Sequence, residues 1–397
     1  MNVFMLVSVY QEKGYSNTGA ELQAETQLQS LKAKGHSITI IAKKRTWQSP
    51  FHEIIDGVNV YRLGPPGIRT LCTLLLLFLS RKNCDIVHIH GQHLFGVAAI
   101  WLCKFLGIPT VLKITIAGRF FVRLSADRVF PKKWRPFRRL LNLVSRKASA
   151  YLAISKEITE QLPRAGFLPE RIAYIPNGVD VNRFHPVNSE EKQLLREQLK
   201  LPADKQIVLY ASRLIYRKGF DILLAAWPSI HAKIPECCLV VVGGGSSVEM
   251  EQLRDLSHRI GGDKVFAIGE VQNIAPYLQC SDIFVFPSRK EGLPNTLIEA
   301  MACGAACIAS DIGGCTDLIE PNRTGVLFSN GNAAELNQAV ISLLSNKKAV
   351  DELGRNAHKH IQEKYNILTI ANQIHNLYIT LQNRQRTSNS NVISSNS

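Results

Sequence analysis

Several things are scarce in this sequence of 397 residues. Its nine cysteines form no Cys-x-x-Cys pair, so the spacing of a structural zinc site is missing and an odd number remains for any disulfide framework. Reduced thiols in a cytoplasmic protein, buried as small apolar side chains, are the expectation. The apolar stretch Leu71 to Leu79, interrupted only by Thr73, falls far short of the roughly 20 residues that span a bilayer. Its leucine-rich part, Leu74 to Leu79, reads as a buried helix, while Arg81 and Lys82 behind it keep a membrane-facing alternative open. The opening segment Met1 to Tyr10 carries no basic leader and runs into Gln11-Glu12-Lys13. It reads as a first strand rather than a signal peptide. No Asp-x-Asp pair is present to hold a metal between phosphates, no full Gly-x-Gly-x-x-Gly follows the first strand, and no internal repeat is visible. These absences tell against a nicotinamide dehydrogenase and against solenoids and propellers.

Acidic residues are scarce in one half only. Residues 1–185 hold 26 Lys and Arg against 11 Asp and Glu, whereas residues 186–397 hold 21 of each, so the whole net charge of +15 sits in the first half. The excess is densest from Arg119 to Lys147, where ten cations face the single acid Asp127. A solvated helical face mixes signs to gain helical pairs and limit self-repulsion, so this bias points to an anionic partner. Interleaved Phe120, Phe121, Val122, Leu124, Val129, Phe130, Trp134 and Phe137 suit a surface that dips into an anionic lipid interface better than a purely electrostatic groove, and no nucleic-acid partner is expected.

Hydrophobic residues at 46% and charged residues at 20% describe a foldable soluble chain, long enough for two domains of roughly 150–200 residues. Strands are expected at Val3–Val9, Ser37–Ala42, Asp85–His90, Thr110–Ile116 and Ala150–Ile154, with helical stretches between them. The pattern restarts after Asn177-Gly178-Val179-Asp180, with strands at Gln206–Ala211, Cys238–Val242, Val265–Ile268, Ile283–Phe286, Ala306–Ala309 and Gly325–Leu327. Repeated βαβ units make an α/β protein whose ligands bind beyond the carboxyl ends of parallel strands. The Ser- and Asn-rich end, 383–397, reads as disordered.

Two clusters carry chemistry. In the segment Phe286 to Gly304, Glu291 and Glu299 stand eight apart, a spacing that twenty glutamates in 397 positions produce about once by chance. Their context is more telling: Glu291 follows a strand in a Gly-Leu-Pro loop, and Glu299 is expected on the first turn of the next helix. Amides of Leu293, Asn295 and Thr296 would face the anionic part of a ligand resting there. The second cluster, Arg213 to Lys218, puts two cations after the first strand of the second domain. There they can neutralise a diphosphate and a departing oxyanion.

These residues resemble the retaining nucleotide-sugar glycosyltransferases of family 4, the glycosyl transferases group 1, which have the GT-B fold of two Rossmann-like domains facing across a cleft. The resemblance covers nearly the whole chain through Glu291 and Glu299, Arg213 and Lys218, Ile175 to Asp180, Gly19, and Val87 to Gly91. It implies an acceptor-binding domain over 1–182, a nucleotide-sugar-binding domain over 183–365, and a helix over 366–382 returning to the first domain.

Roles follow from the resemblance for each matching position. Glu299 binds the ribose hydroxyls, Glu291 contacts the donor sugar, and Arg213 with Lys218 holds the diphosphate and stabilises it as leaving group. Gly243, Gly244, Gly269 and Val271 shape the base pocket, and Gly19 admits the diphosphate. His90 lies near the sugar or acceptor, or is a satisfied structural histidine at a strand end. Where many relatives carry a histidine after the next strand, this chain reads Lys113 to Arg119, so Lys113, Thr115 and Arg119 become acceptor-side candidates.

The implied reaction is metal-independent, retaining transfer of a hexose from a UDP-, GDP- or ADP-linked sugar to a glycan or lipid-linked acceptor, in cell-surface polysaccharide or glycolipid synthesis. It needs no cofactor beyond the nucleotide sugar and no metal. It would take place in the cytoplasm, peripheral on the inner face of the membrane. A nucleotide-sugar epimerase or sugar phosphorylase of the same fold, or a non-catalytic binding protein, are the alternatives.

Overall fold

A computed structural model describes residues 1–11, 19–116, 135–262 and 264–394, with backbone alone for 19–22, 135–138 and 388–394. The chain forms two units, Met1–Asn177 with Ile367–Ser397, and Gly178–Asn366. It crosses between them at Asn177/Gly178 and at Asn366/Ile367.

The first unit runs β1 (Asn2–Leu6), α1 (Gly19–Ala33), β2 (Ser37–Lys43), β3 (His52–Ile55), β4 (Val58–Leu63), α2 (Pro66–Leu79), β5 (Ile86–His90), α3 (Leu94–Leu106), β6 (Thr110–Ile114), α4 (Arg135–Ser145), β7 (Ala150–Ala153), α5 (Lys156–Arg164) and β8 (Ile172–Tyr174). Its sheet has the order β3-β4-β2-β1-β5-β6-β7-β8. Each described pairing is parallel apart from β3 with β4, a hairpin turning through Asp56 and Gly57, both at positive φ. Two consecutive positive φ values match the right-handed twist of the flanking strands.

The second unit runs α6 (Ser189–Gln198), β9 (Gln206–Ala211), α7 (Phe220–Lys233), β10 (Cys237–Val242), α8 (Ser247–Ile260), β11 (Val265–Gly269), α9 (Ala275–Cys280), β12 (Ile283–Phe286), α10 (Asn295–Ala302), β13 (Ala306–Ser310), α11 (Gly313–Thr316), β14 (Val326–Phe328), α12 (Ala333–Leu344) and α13 (Lys347–Lys364). Its parallel sheet has the order β11-β10-β9-β12-β13-β14. The all-buried runs CCLVVV of β10 and IFVF of β12 are what a sheet covered on both faces requires. Trp227 on α7, fully buried, anchors one of its two layers.

Strand order reverses at β9 in the second sheet, between β10 and β12, and at β1 in the first, between β2 and β5. At such switch points successive crossovers leave toward opposite faces, and the loops after the two central strands part to leave a crevice. The loops after β9 and β12 are where Arg213 to Lys218 and Ser288 to Glu291 lie.

Three expectations need correction. The Leu74–Leu79 run is not buried as a whole: α2 turns Arg69, Thr73 and Leu77 inward and leaves Leu75, Phe78 and Leu79 exposed. Six consecutive apolar residues at 100° steps cover every side of a helix, so a partner on one side must leave some of them outside. The end of the chain is helical through Ser394, because α14 (Ile367–Ser394) is anchored in the first unit by buried Ile370, Ile374, Tyr378 and Leu381. Beyond a nucleated helix, each further residue adds one hydrogen bond without a new nucleation step. Finally, α10 begins at Asn295 behind Pro294, which places Glu299 on its second turn rather than its first.

Candidate active site

The two sequence clusters meet at the switch point of the second sheet. Lys218 Nζ lies 2.7 Å from Glu291 Oε1, and the same carboxylate oxygen accepts from Arg217 Nη1 at 3.2 Å and from Ser288 Oγ at 2.6 Å. Arg217 also donates to the Lys290 carbonyl, and its own carbonyl accepts from Arg289 N–H, so the loops after β9 and β12 are tied together at several points. Burial holds the Lys218 ammonium below its usual pKa, against the pull of Glu291, and it stands 5.5 Å from the Phe286 ring centroid. Arg213 is exposed beside this cluster and makes no ion pair among the described residues.

Close backbone approach builds the rest of the rim. Gly219, at φ +71°, packs its α-carbon against the Pro287 carbonyl, and Gly243, at φ +139°, packs against the Ser212 carbonyl. A Cβ at either position would overlap those backbone atoms, so glycine is required there. Gly243 N–H donates to the Gly269 carbonyl at 2.8 Å, and Leu214 N–H to the Gly244 carbonyl at 2.8 Å. The ends of β9, β10 and β11 therefore form one continuous edge, with Glu270 against Gly244 and Val271 partly exposed after it.

Glu299 points from the second turn of α10, partly exposed. Burial pushes its carboxyl up to about 7, with Arg183 opposing the shift. Arg183 is itself held by Asn273 at 2.9 Å. Leu293 is buried, while Asn295 and Thr296 at the helix start are partly exposed. The first-turn N–H groups of such a helix have no carbonyl of their own to bond and attract negative charge.

In the first unit, His90 ends β5, its ring 4.6 Å from that of His88. Its Nε2 is buried with no hydrogen-bond partner, and burial holds it well below the usual histidine range, so it is a neutral imidazole. His88 is fully buried, and its Nδ1 lies 2.6 Å from the Tyr378 hydroxyl of α14. Lys113 sits across from His90 in the β5–β6 register but is 4% exposed. Its Nζ donates to Gln27 on α1 at 3.2 Å, and burial lowers its pKa to about 8. Lys113 is thus turned back beneath α1 rather than presented to an acceptor. Thr115 is partly exposed, Gly19 opens α1, and Arg119 lies outside the described residues, as does the basic stretch up to Trp134.

A Glycosyltransferase Family 4 model matches residues 17–183, and a glycosyl transferases group 1 model matches residues 191–360. The chain is a family 4, group 1 glycosyltransferase. Among its relatives is TuaC of Bacillus subtilis, named for a glycosyltransferase step in teichuronic acid biosynthesis, 26% identical over 96% of this chain and 99% of its own length. Another is the N,N'-diacetylbacillosaminyl-diphospho-undecaprenol alpha-1,3-N-acetylgalactosaminyltransferase of Campylobacter jejuni, 26% identical over 83% of this chain and 88% of its own. HepE of Anabaena, solved in complex with UDP, superposes with a TM-score of 0.75 at 19% identity, covering 96% of this chain and 100% of HepE. The GT-B fold expected for the glycosyltransferase is the fold it has.

Sequence reasoning missed three residues of this glycosyltransferase's second unit. Arg217 and Ser288 both grip Glu291, and Arg183 faces Glu299. Arg217 directly precedes Lys218, and Ser288 follows Pro287, the first residue after β12. A cation and a hydroxyl in the two loops of one switch point were the available signal.

Proposed function

We propose that this glycosyltransferase transfers a hexose from a nucleotide sugar to a glycan or lipid-linked acceptor hydroxyl, with retention at the anomeric carbon and without a metal. The single observation carrying this reading is the convergence of Lys218, Arg217 and Ser288 on Glu291 beside the start of α10 and Glu299. A nucleoside diphosphate needs what these groups offer: cations for the phosphates, backbone N–H groups for their oxygens, and a carboxylate for vicinal ribose hydroxyls. Lys218 and Arg213 take the charge that grows on the β-phosphate as its bond to the anomeric carbon breaks. The acceptor oxygen forms the new glycosidic bond on the same face, and its proton passes to the leaving phosphate oxygen. Glu291 orients the sugar and keeps Lys218 in place.

The UDP complexed by HepE and the undecaprenol-linked acceptor in the name of the Campylobacter relative support a nucleotide-sugar donor and a lipid-linked acceptor. Such an acceptor would be met in the cytoplasm at the inner face of the membrane. The test is a thermal-shift screen of UDP-, GDP- and ADP-sugars without added metal, on the wild type and on Glu299→Ala. Stabilisation of the wild type by one nucleotide class, lost in the variant, supports the donor site and identifies the base. No stabilisation by any nucleotide sugar overturns it. Retention is read from the anomeric proton coupling of the product.

A further inference from the structure

In α2 the usual arrangement of an amphipathic helix is partly reversed, while α3 and α4 bury apolar side chains and also leave large apolar side chains exposed. In α2 the inward stripe is Arg69, Thr73 and Leu77, while Ile68, Leu71, Leu75, Phe78 and Leu79 face outward. Leu71 is 69% exposed and Leu79 is 66% exposed, where a globular helix places polar side chains. On α3, which packs against α2 and α4, Trp101 and Phe105 stand one turn apart with ring centroids 4.8 Å apart, and Phe105 is 74% exposed. On α4, Leu140 and Leu143 are more than half exposed. Between α3 and α4 these side chains line a groove of about 630 Å³, with Lys104 and Lys147 at its rim.

The three crossovers β4–β5, β5–β6 and β6–β7 all advance in one direction along the sheet. With right-handed connections this puts α2, α3 and α4 on one face, so the exposed apolar side chains form one continuous surface. Contiguous apolar area of this kind on a soluble unit marks an interaction site.

The charge around it identifies the partner. None of the three helices contains an Asp or Glu, and residues 57–156 hold 17 Lys and Arg against Asp85 and Asp127 alone. Arg81, Lys82, Lys104, Arg139 and Lys147 are exposed around the apolar side chains. We propose that this face docks on an anionic lipid leaflet, seating Leu71, Leu75, Phe78, Trp101, Phe105 and Leu143 among the acyl chains with the cations at headgroup level. Apolar side chains and an indole ringed by cations are what a charged bilayer interface accommodates. A second copy of the chain would bring the same cations against each other with no carboxylate on any of the three helices to pair them. The inference deepens the lipid-linked-acceptor reading and rests on it for the biological reason to dock, while its test does not require activity.

The test is co-flotation of the full chain with vesicles of phosphatidylcholine alone or mixed with phosphatidylglycerol, at low and high salt. Two variants accompany the wild type: Leu75→Gln/Trp101→Gln/Leu143→Gln, all surface changes, and Lys104→Gln/Lys147→Gln. The wild type should float with the mixed vesicles and be largely released by high salt. The triple variant should partition at least about tenfold more weakly and the double variant several-fold more weakly, both with unchanged melting temperature. Nucleotide stabilisation measured on the same preparations separates the two readings. Flotation without nucleotide stabilisation leaves the docking face standing and removes the donor reading. Nucleotide stabilisation with no flotation of the wild type overturns the docking face. Equal flotation of wild type and triple variant also overturns it, as does a wild-type dimer that the triple variant converts to monomer.

Discussion

Lys218 and Glu291 form an ion pair of 2.7 Å, with 17% and 11% of their side chains exposed, across the point where strand order reverses in the second sheet. Each belongs to a different sequence cluster, and neither loop would hold its residue so firmly alone. Glu291 is tied to Ser288 and Arg217 as well, so its carboxylate is a fixed post against which the ammonium is aimed. A cation pre-positioned in a partly dehydrated crevice stabilises developing negative charge without waiting for solvent to reorganise.

Removing that cation should therefore affect turnover more than stability. Lys218→Ala is expected to lower kcat by about 100-fold or more, with Arg217 and Ser288 still satisfying Glu291 and the melting temperature nearly unchanged. Arg213→Ala, at an exposed position, should cost less. Initial rates with saturating donor check both, and an unchanged kcat in Lys218→Ala would remove it from the leaving-group role.

Glu299 gives the proposed donor site a pH dependence. Its folded carboxyl keeps a proton to about pH 7, against an ordinary value of 4.5, because burial penalises the anion. Between those two values the folded state binds more protons than the unfolded state, so apo stability falls as pH rises across this window. Nucleotide affinity should run the other way, since the ionised carboxylate is the better acceptor for ribose hydroxyls, and it should weaken as pH drops below about 7. Glu299→Gln should remove both slopes. Urea midpoints and calorimetric binding of UDP, GDP or ADP at pH 5.5 to 8 read them out.

Two glycines test the backbone approach at the rim. At Gly219 a Cβ would meet the Pro287 carbonyl, whereas at Gly331, with φ +87°, nothing lies within 4 Å. Gly331→Ala should cost only the left-handed strain, about 1–2 kcal/mol. Gly219→Ala carries that strain and a backbone overlap, and should exceed about 4 kcal/mol, leaving little soluble protein. Chemical unfolding of both variants makes the comparison.

Much of this architecture was legible beforehand, because β9 and β12 are uninterrupted apolar runs bounded by turn residues and their limits were read without error. β3, β4 and β8 were missed. β4 buries Val58 and Val60 in alternation but then buries the cation Arg62, which breaks the apolar pattern in the sequence. β3 alternates exposed and partly exposed residues with no buried position, and β8 spans three residues, so neither has an apolar signature; only Asp56-Gly57 announced the hairpin. Lys113 was misplaced for a related reason. Strand alternation gives its face, but only the packing of α1 shows that Gln27 waits there for the ammonium.

That buried ammonium yields the last prediction. Lys113 is 4% exposed, its pKa is lowered from 10.5 to about 8 by burial, and its side-chain partner is the neutral Gln27. Between pH 8 and 10.5 the unfolded chain binds more protons at this residue than the folded one, so stability rises with pH through that window. Below it, the cost of enclosing the charged amine is fully present. An apolar side chain of similar length removes that cost while keeping the packing, so Lys113→Met should raise stability at neutral pH by about 1–3 kcal/mol and flatten the alkaline slope. Urea unfolding at pH 7 and pH 9.5 measures both. If Lys113 instead met an anionic acceptor, the same variant would raise the acceptor KM, an outcome that its burial beneath α1 argues against.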